Sequence, residues 1–120
     1  MPKRILIADD DEVLREVIRR FLESHTTCEV CGEAVNGADA IAKAETLNPD
    51  LILLDYLMPG MNGIETGAVL KAMMPEVPVI LFTGEDSWAI QSAAMSAGIK
   101  AVVPKPQMGR LAGRVVSLLD

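Results

Sequence analysis

The chain is predicted to fold as a doubly wound α/β domain, a five-stranded parallel sheet with helices on both faces. Three observations predict it. Short apolar runs alternate five times with stretches of helical period, the signature of repeated strand–helix units. One of those runs, Leu51-Ile52-Leu53-Leu54, is hydrophobic at every position, as a strand covered on both faces must be. And 120 residues make one ordinary domain, large enough to fold without a metal or disulfide staple, but not two.

Each element has its own warrant. Ile5-Leu6-Ile7-Ala8 is the first strand. After it Val13, Leu14, Val17, Ile18, Phe21 and Leu22 recur at helical spacing, which places Arg15, Glu16, Arg19 and Arg20 on the opposite, solvent face. Asp11 is placed to cap that helix. Cys28 to Glu33 reads as a second, weaker strand. Asn36 then caps a helix that runs to about Leu47 and is stopped by Asn48-Pro49. The third strand is Leu51–Leu54, and Asn62 followed by Glu65 forms a capping box for a helix over Gly63–Met73. Gly60 and Gly63 suit a turn that needs positive φ before that helix. Val79–Phe82 is the fourth strand, Ser87–Ala97 the fourth helix closed by Gly98, and Ala101–Val103 the fifth strand. Pro104 ends that strand, which suits a sheet edge. A last helix spans about Gln107–Leu119, with Leu111, Val115, Leu118 and Leu119 on one face.

Composition excludes several functions. With 11 basic and 17 acidic residues the net charge is -6, which disfavours phosphate backbones and anionic membranes. Aromatics are only 3% of the chain, too few for a base-stacking platform. No apolar run approaches the length of a membrane span, and the N-terminus lacks the long apolar stretch of a signal peptide. The expected compartment is the cytoplasm. Cys28 and Cys31 have CxxC spacing, but on a strand residues three apart point to opposite faces, so they read as ordinary small buried residues. His25 lies at the polar end of the first helix and receives no role.

In an open parallel sheet, sites form beyond the carboxyl ends of the strands. The first strand ends in Asp9-Asp10, the third in Asp55, the fourth in Thr83 and the fifth in Lys105, whereas the second ends in Glu33-Ala34 with no evident partner. If the first, third, fourth and fifth strands are neighbours and the second lies outside, these side chains converge on one rim. Two carboxylates ~4 Å apart repel by about 4 kcal/mol at an effective dielectric of ~20. A cation relieves that repulsion, and hard oxygen ligands without histidine or thiolate favour Mg2+. An aspartate beside Mg2+ attacks an activated phosphoryl group to give an aspartyl phosphate, while Lys105 and Thr83 are placed to stabilise the phosphoryl oxygens. The chain lacks a glycine-rich nucleotide loop, so a nucleotide is not the expected donor.

These residues resemble the receiver domain of bacterial two-component response regulators over essentially the whole chain. Four motifs carry the likeness: Ile5–Ala8 with Asp9-Asp10; the stretch from Leu53 through Asp55 to Gly63; Phe82-Thr83-Gly84; and Lys105-Pro106. The resemblance implies a flavodoxin-like (CheY-like) sheet in the order 2-1-3-4-5. It further implies that Asp55 accepts a phosphoryl group from a histidine kinase or a phosphotransfer protein. By the same resemblance Asp10, Asp55 and the carbonyl of Leu57 bind Mg2+ directly, Asp9 acts through a water, and Thr83 and Lys105 contact the phosphoryl oxygens. Thr83 is the switch residue, and the Lys105–Pro106 peptide is expected to be cis. Such a domain is a signalling phosphoacceptor, not an enzyme acting on other substrates. Its partner or dimer surface is the face of the fourth helix, fifth strand and fifth helix. The segment Cys31–Gly37 is similar to receivers attached to helix-turn-helix effectors, so the chain is read as residues 1–120 of either a stand-alone receiver or, preferably, a longer regulator of transcription. Any DNA binding then belongs to that further part.

The sequence departs from the family in three places. Val102 stands where the family's switch aromatic usually lies; Pro104 and Pro106 bracket Lys105; and Leu57 and Glu85, two residues beyond Asp55 and Thr83, flank the path of the hydrolytic water. Leu57 offers that water no hydrogen bond, so a long-lived phosphorylated state is expected. Three other functions compete. A phosphohydrolase of the haloacid-dehalogenase type needs a second acid where Leu57 stands, and its cap domain is missing. A pseudo-receiver that binds partners without phosphorylation is kept open by Val102. A flavin or nucleotide carrier would have its phosphates repelled by the acidic rim.

Overall fold

The computed structural model describes residues 1–85, 87–105 and 107–120. Five strands, β1 (Arg4–Ala8), β2 (Glu29–Ala34), β3 (Leu51–Leu54), β4 (Val79–Thr83) and β5 (Ala101–Pro104), alternate with the helices α1 (Glu12–His25), α2 (Gly37–Leu47), α3 (Gly63–Met73), α4 (Trp88–Ser96) and α5 (Met108–Leu119). The strands are all parallel, in the order β2-β1-β3-β4-β5. This is the doubly wound fold that the sequence predicts, with boundaries that shift by at most a few residues.

Alternation along the strands sorts the core into two layers. Ile5, Ile7, Leu51, Leu53, Ile80 and Phe82 face α1 and α5, where they pack on Ile18, Leu22, Leu111 and Val115. Leu6, Ile52, Leu54 and Leu81 face the other way, onto Ala40, Ala44, Leu70 and Ala94. Every residue of β3 is buried, and each fully buried Leu or Ile contributes roughly 1.5–3 kcal/mol relative to exposure.

Three helix starts are capped as their sequences predict, by Asp11, Asn36 and Asn62, and the structure adds Ser87 as the cap of α4. Asp11 accepts from the N–H groups of Val13 and Leu14, Asn36 from Asp39 and Ser87 from Ile90. Asn62 and Glu65 form the reciprocal capping box. At the far end of α2, Asn48 takes a left-handed conformation (φ 49°). There the Arg4 guanidinium donates to the carbonyls of Leu47 (2.6 Å) and Asn48 (3.2 Å).

Three local expectations are corrected. Gly60 has positive φ (77°), but Gly63 does not. Gly63 is required for space: a Cβ there would lie 2.2 Å from the Asp55 carbonyl oxygen. Arg15 does not share the solvent face of α1 but is buried, whereas Val13 and Val17 are exposed. In β2, pairing runs Ile5 to Val30 and then Leu6 to Gly32, so Cys31 sits in a bulge. Such an extra residue breaks the simple alternation used to separate the two cysteines. Both cysteines are nevertheless free, and burial pushes the Cys31 thiol pKa up, away from reactivity.

Candidate functional site

The sheet order sets β1, β3, β4 and β5 side by side, so residues at their carboxyl ends meet on one rim. Asp9 and Asp10 follow β1, Asp55 follows β3, Thr83 closes β4, and Lys105 follows β5. One carboxylate oxygen from each of Asp9, Asp10 and Asp55 lies within 4.8 Å of the other two. The Lys105 ammonium stands between two of them, 3.1 Å from Asp9 Oδ2 and 3.2 Å from Asp55 Oδ1.

Each group is fixed by its backbone. The Asp9 N–H donates to the Ala34 carbonyl (3.0 Å), and that of Asp55 donates to the Ala8 carbonyl (2.9 Å). Asp9 Oδ1 accepts from the Asp11 N–H (2.9 Å), so one turn caps α1 and orients the acid pair. The Lys105 N–H donates to the Thr83 carbonyl (2.9 Å). The Thr83 side chain is buried, and its Oγ1 accepts from the Glu85 N–H (3.0 Å). Below Asp55, the Gly63 N–H donates to the Tyr56 carbonyl (2.8 Å). That contact draws the start of α3 under the site, which only a residue without a side chain permits.

Asp9 and Asp55 are buried, while Asp10 is exposed. Burial, and next the Asp9 carboxylate, hold the Asp55 pKa above the ordinary range despite Lys105. Burial pulls the Lys105 pKa down, but the Asp55 and Asp9 carboxylates outweigh it and raise it overall. Three carboxylates against one ammonium leave two formal negative charges when all are ionised. That excess, offered by hard oxygen atoms in one cluster, fits a divalent cation such as Mg2+.

The structure therefore brings together Asp9, Asp10, Asp55 and Lys105, with Thr83 at the adjacent strand end. Leu57 lies in the β3–α3 loop with an exposed side chain. Val102 is set apart from the polar rim: it pairs with Leu81 and packs on the core layer facing α2, α3 and α4. The expected cis peptide at Lys105–Pro106 falls outside the described residues.

Sequence reading missed a second cluster behind the acid pair. Arg15 Nη1 donates to the Asp9 carbonyl (2.7 Å), and its Nε donates to Glu33 Oε1 (2.9 Å). Arg19 pairs with the other Glu33 oxygen, and Lys43 Nζ donates to the Glu33 carbonyl. Glu33, which had no evident partner in the sequence, thus joins α1, α2 and β2. Burial of Glu33 is opposed by its bonds to Arg19 and Arg15, which together hold its pKa below the usual carboxylate range. The available signal was a lone charge ending an edge strand opposite a helix carrying three arginines.

Residues 5–115 match the family model of the response regulator receiver domain. The response regulator VraR of Staphylococcus aureus is 37% identical over 107 residues, 88% of this chain and 50% of that protein. A protein-glutamate methylesterase/protein-glutamine glutaminase of Clostridium acetobutylicum is 34% identical over 106 residues, 87% of this chain but 31% of that protein. The chain thus spans a half or less of these curated relatives. Among solved structures, the signal receiver domain of the response regulator NarL from Mycobacterium tuberculosis superposes with a TM-score of 0.92 at 29% identity, covering 98% of this chain and 96% of that one.

Proposed function

The chain belongs to the response regulator receiver family, and on that premise we propose that it is the phosphoacceptor module of a two-component system, with Asp55 as the acceptor. One observation carries the reading: Asp9, Asp10, Asp55 and Lys105 converge beyond the ends of adjacent strands.

An Asp55 carboxylate oxygen attacks the phosphorus of a phosphohistidine on a sensor kinase or phosphotransfer protein. The O–P bond forms as the P–N bond breaks, and the departing imidazole nitrogen keeps the electron pair and takes up a proton. Asp9, Asp10, Asp55 and the Leu57 carbonyl are the groups that would hold Mg2+. When bound, such an ion would supply positive charge against the phosphoryl oxygens. Lys105 has three donors, so it keeps a carboxylate partner while donating to a phosphoryl oxygen. The Thr83 oxygen accepts from the Glu85 N–H, which leaves its hydroxyl proton to donate to another. Thr83 and the partly buried Val102 together form the switch, without the swing of a large ring.

The domain modifies only itself and is read here as a signalling element, not an enzyme. Among the described residues no helix is long and apolar enough to cross a membrane, and a cytoplasmic location suits partners of this class. We further infer that residues 1–120 are the receiver part of a longer regulator whose effector, or a second copy, docks on the α4–β5–α5 face.

Intact-mass spectrometry after incubation with acetyl phosphate tests the acceptor chemistry. One phosphoryl adduct is expected with Mg2+, and none without it or in Asp55→Asn. An adduct that persists in Asp55→Asn overturns the assignment. No adduct at all favours a pseudo-receiver.

A further inference from the structure

We propose that Arg15 is a positioning residue for the metal site, acting through the Asp9 carbonyl; this rests on the Mg2+ reading above. The Asp9 carbonyl oxygen belongs to the peptide that joins Asp9 to Asp10, and a peptide unit is planar. Holding that oxygen therefore fixes the plane from which Asp10 projects. Asp10 is exposed, so the backbone beneath it, not packing around it, sets the direction of its carboxylate. Asp9 is also anchored by its N–H to Ala34 and by its side chain to the Asp11 N–H and the Lys105 ammonium. None of these fixes its carbonyl, which Arg15 Nη1 holds at 2.7 Å in a buried contact.

Arg15 is itself held. Its Nε donates to Glu33 Oε1 at 2.9 Å, and its side chain is only 11% exposed. The guanidinium is a rigid fork that serves two acceptors at once, here one on β2 and one at the acid turn. Glu33 is in turn fixed by Arg19 on its second oxygen and by Lys43 at its carbonyl. The acid pair thus rests on a frame drawn from α1, β2 and α2. Partners that orient ligand groups in this way commonly alter metal affinity by 10–100-fold.

A positioning role and a merely electrostatic one differ in sign. Arg15 is a cation beside a cation site, so removing its charge alone strengthens Mg2+ binding. Loss of the anchor weakens it. Mg2+ titration by calorimetry on the full chain, beside a denaturation curve for each variant, separates the two. Arg15→Met is expected to bind Mg2+ about tenfold more weakly. Arg15→Lys keeps the charge but not the two-point fork, and is expected to bind severalfold more weakly. Arg20→Met, which loses only its exposed bond to Glu16 on the same helix and touches neither Glu33 nor Asp9, should stay within twofold of wild type. Should Arg15→Met not fold, Arg15→Lys decides. A folded Arg15 variant that binds Mg2+ as tightly as wild type, or tighter, overturns the role of Arg15 alone. Absence of Mg2+ binding by the wild-type chain overturns the metal reading, and Arg15's role with it.

Discussion

Lys105 shows how the residue scale works here, because its ammonium is shared between two carboxylates that would otherwise face each other across the site. The sharing does not fully quiet Asp55, whose pKa stays above the ordinary range because burial and Asp9 outweigh the lysine. These residues were legible in sequence because each closes an apolar run, and a strand end in a parallel sheet has one place to point. Arg15 was not legible. Periodicity assigns a helix position to a face by its Cα, but a long side chain can reach back past its own turn and bury its head. Gly63 was half legible: its identity signals a backbone constraint, but only the Asp55 carbonyl, 2.2 Å from its absent Cβ, distinguishes lack of space from unusual φ. At this scale Leu57 carries a prediction. Its exposed apolar side chain adjoins the acceptor and offers a hydrolytic water no hydrogen bond. Leu57→Asn should shorten the lifetime of the phosphorylated chain severalfold, as followed by loss of the adduct over time. An unchanged decay rate removes Leu57 from that account.

The elements follow from caps and apolar period. β3 and α3 have the bounds that their sequences predict, because a wholly apolar run and a capping box are strong local signals. β2 was weaker, and its bulge at Cys31 was invisible, since a bulge depends on how a neighbouring strand pairs, not on the residues of its own strand. α4 starts one residue later than its sequence predicts, with Ser87 as its cap, and Ala94 is its one fully buried residue, so its hold on the sheet is slight. Trp88 and Met95 remain exposed on it. The start of α3 matters more to the site, because Gly63 links it to the loop after Asp55. Asn62→Ala removes the acceptor of the Glu65 N–H, 2.8 Å away. It should cost about 1 kcal/mol of folding stability, read from the shift of a urea unfolding midpoint. A loss below a few tenths of a kcal/mol would show that tertiary packing, not the cap, holds the helix start.

At the scale of the whole molecule, sheet order converts scattered residues into a site. Asp9 and Lys105 are distant in sequence and follow β1 and β5, which β3 and β4 separate in the sheet, yet the two meet at 3.1 Å. The order itself was legible only by requiring the polar strand ends to converge and by family likeness; local pattern does not rank neighbours. The net charge of -6 disfavours direct binding of nucleic acid by this domain. Everything then turns on one carboxylate among three. Borohydride reduction of the acetyl-phosphate-treated chain, followed by tandem mass spectrometry, converts an aspartyl phosphate into homoserine and so marks its position. Homoserine at Asp55 alone, formed only in the presence of Mg2+, is the result predicted here. Homoserine at Asp9 or Asp10, or its equal formation without Mg2+, would contradict it.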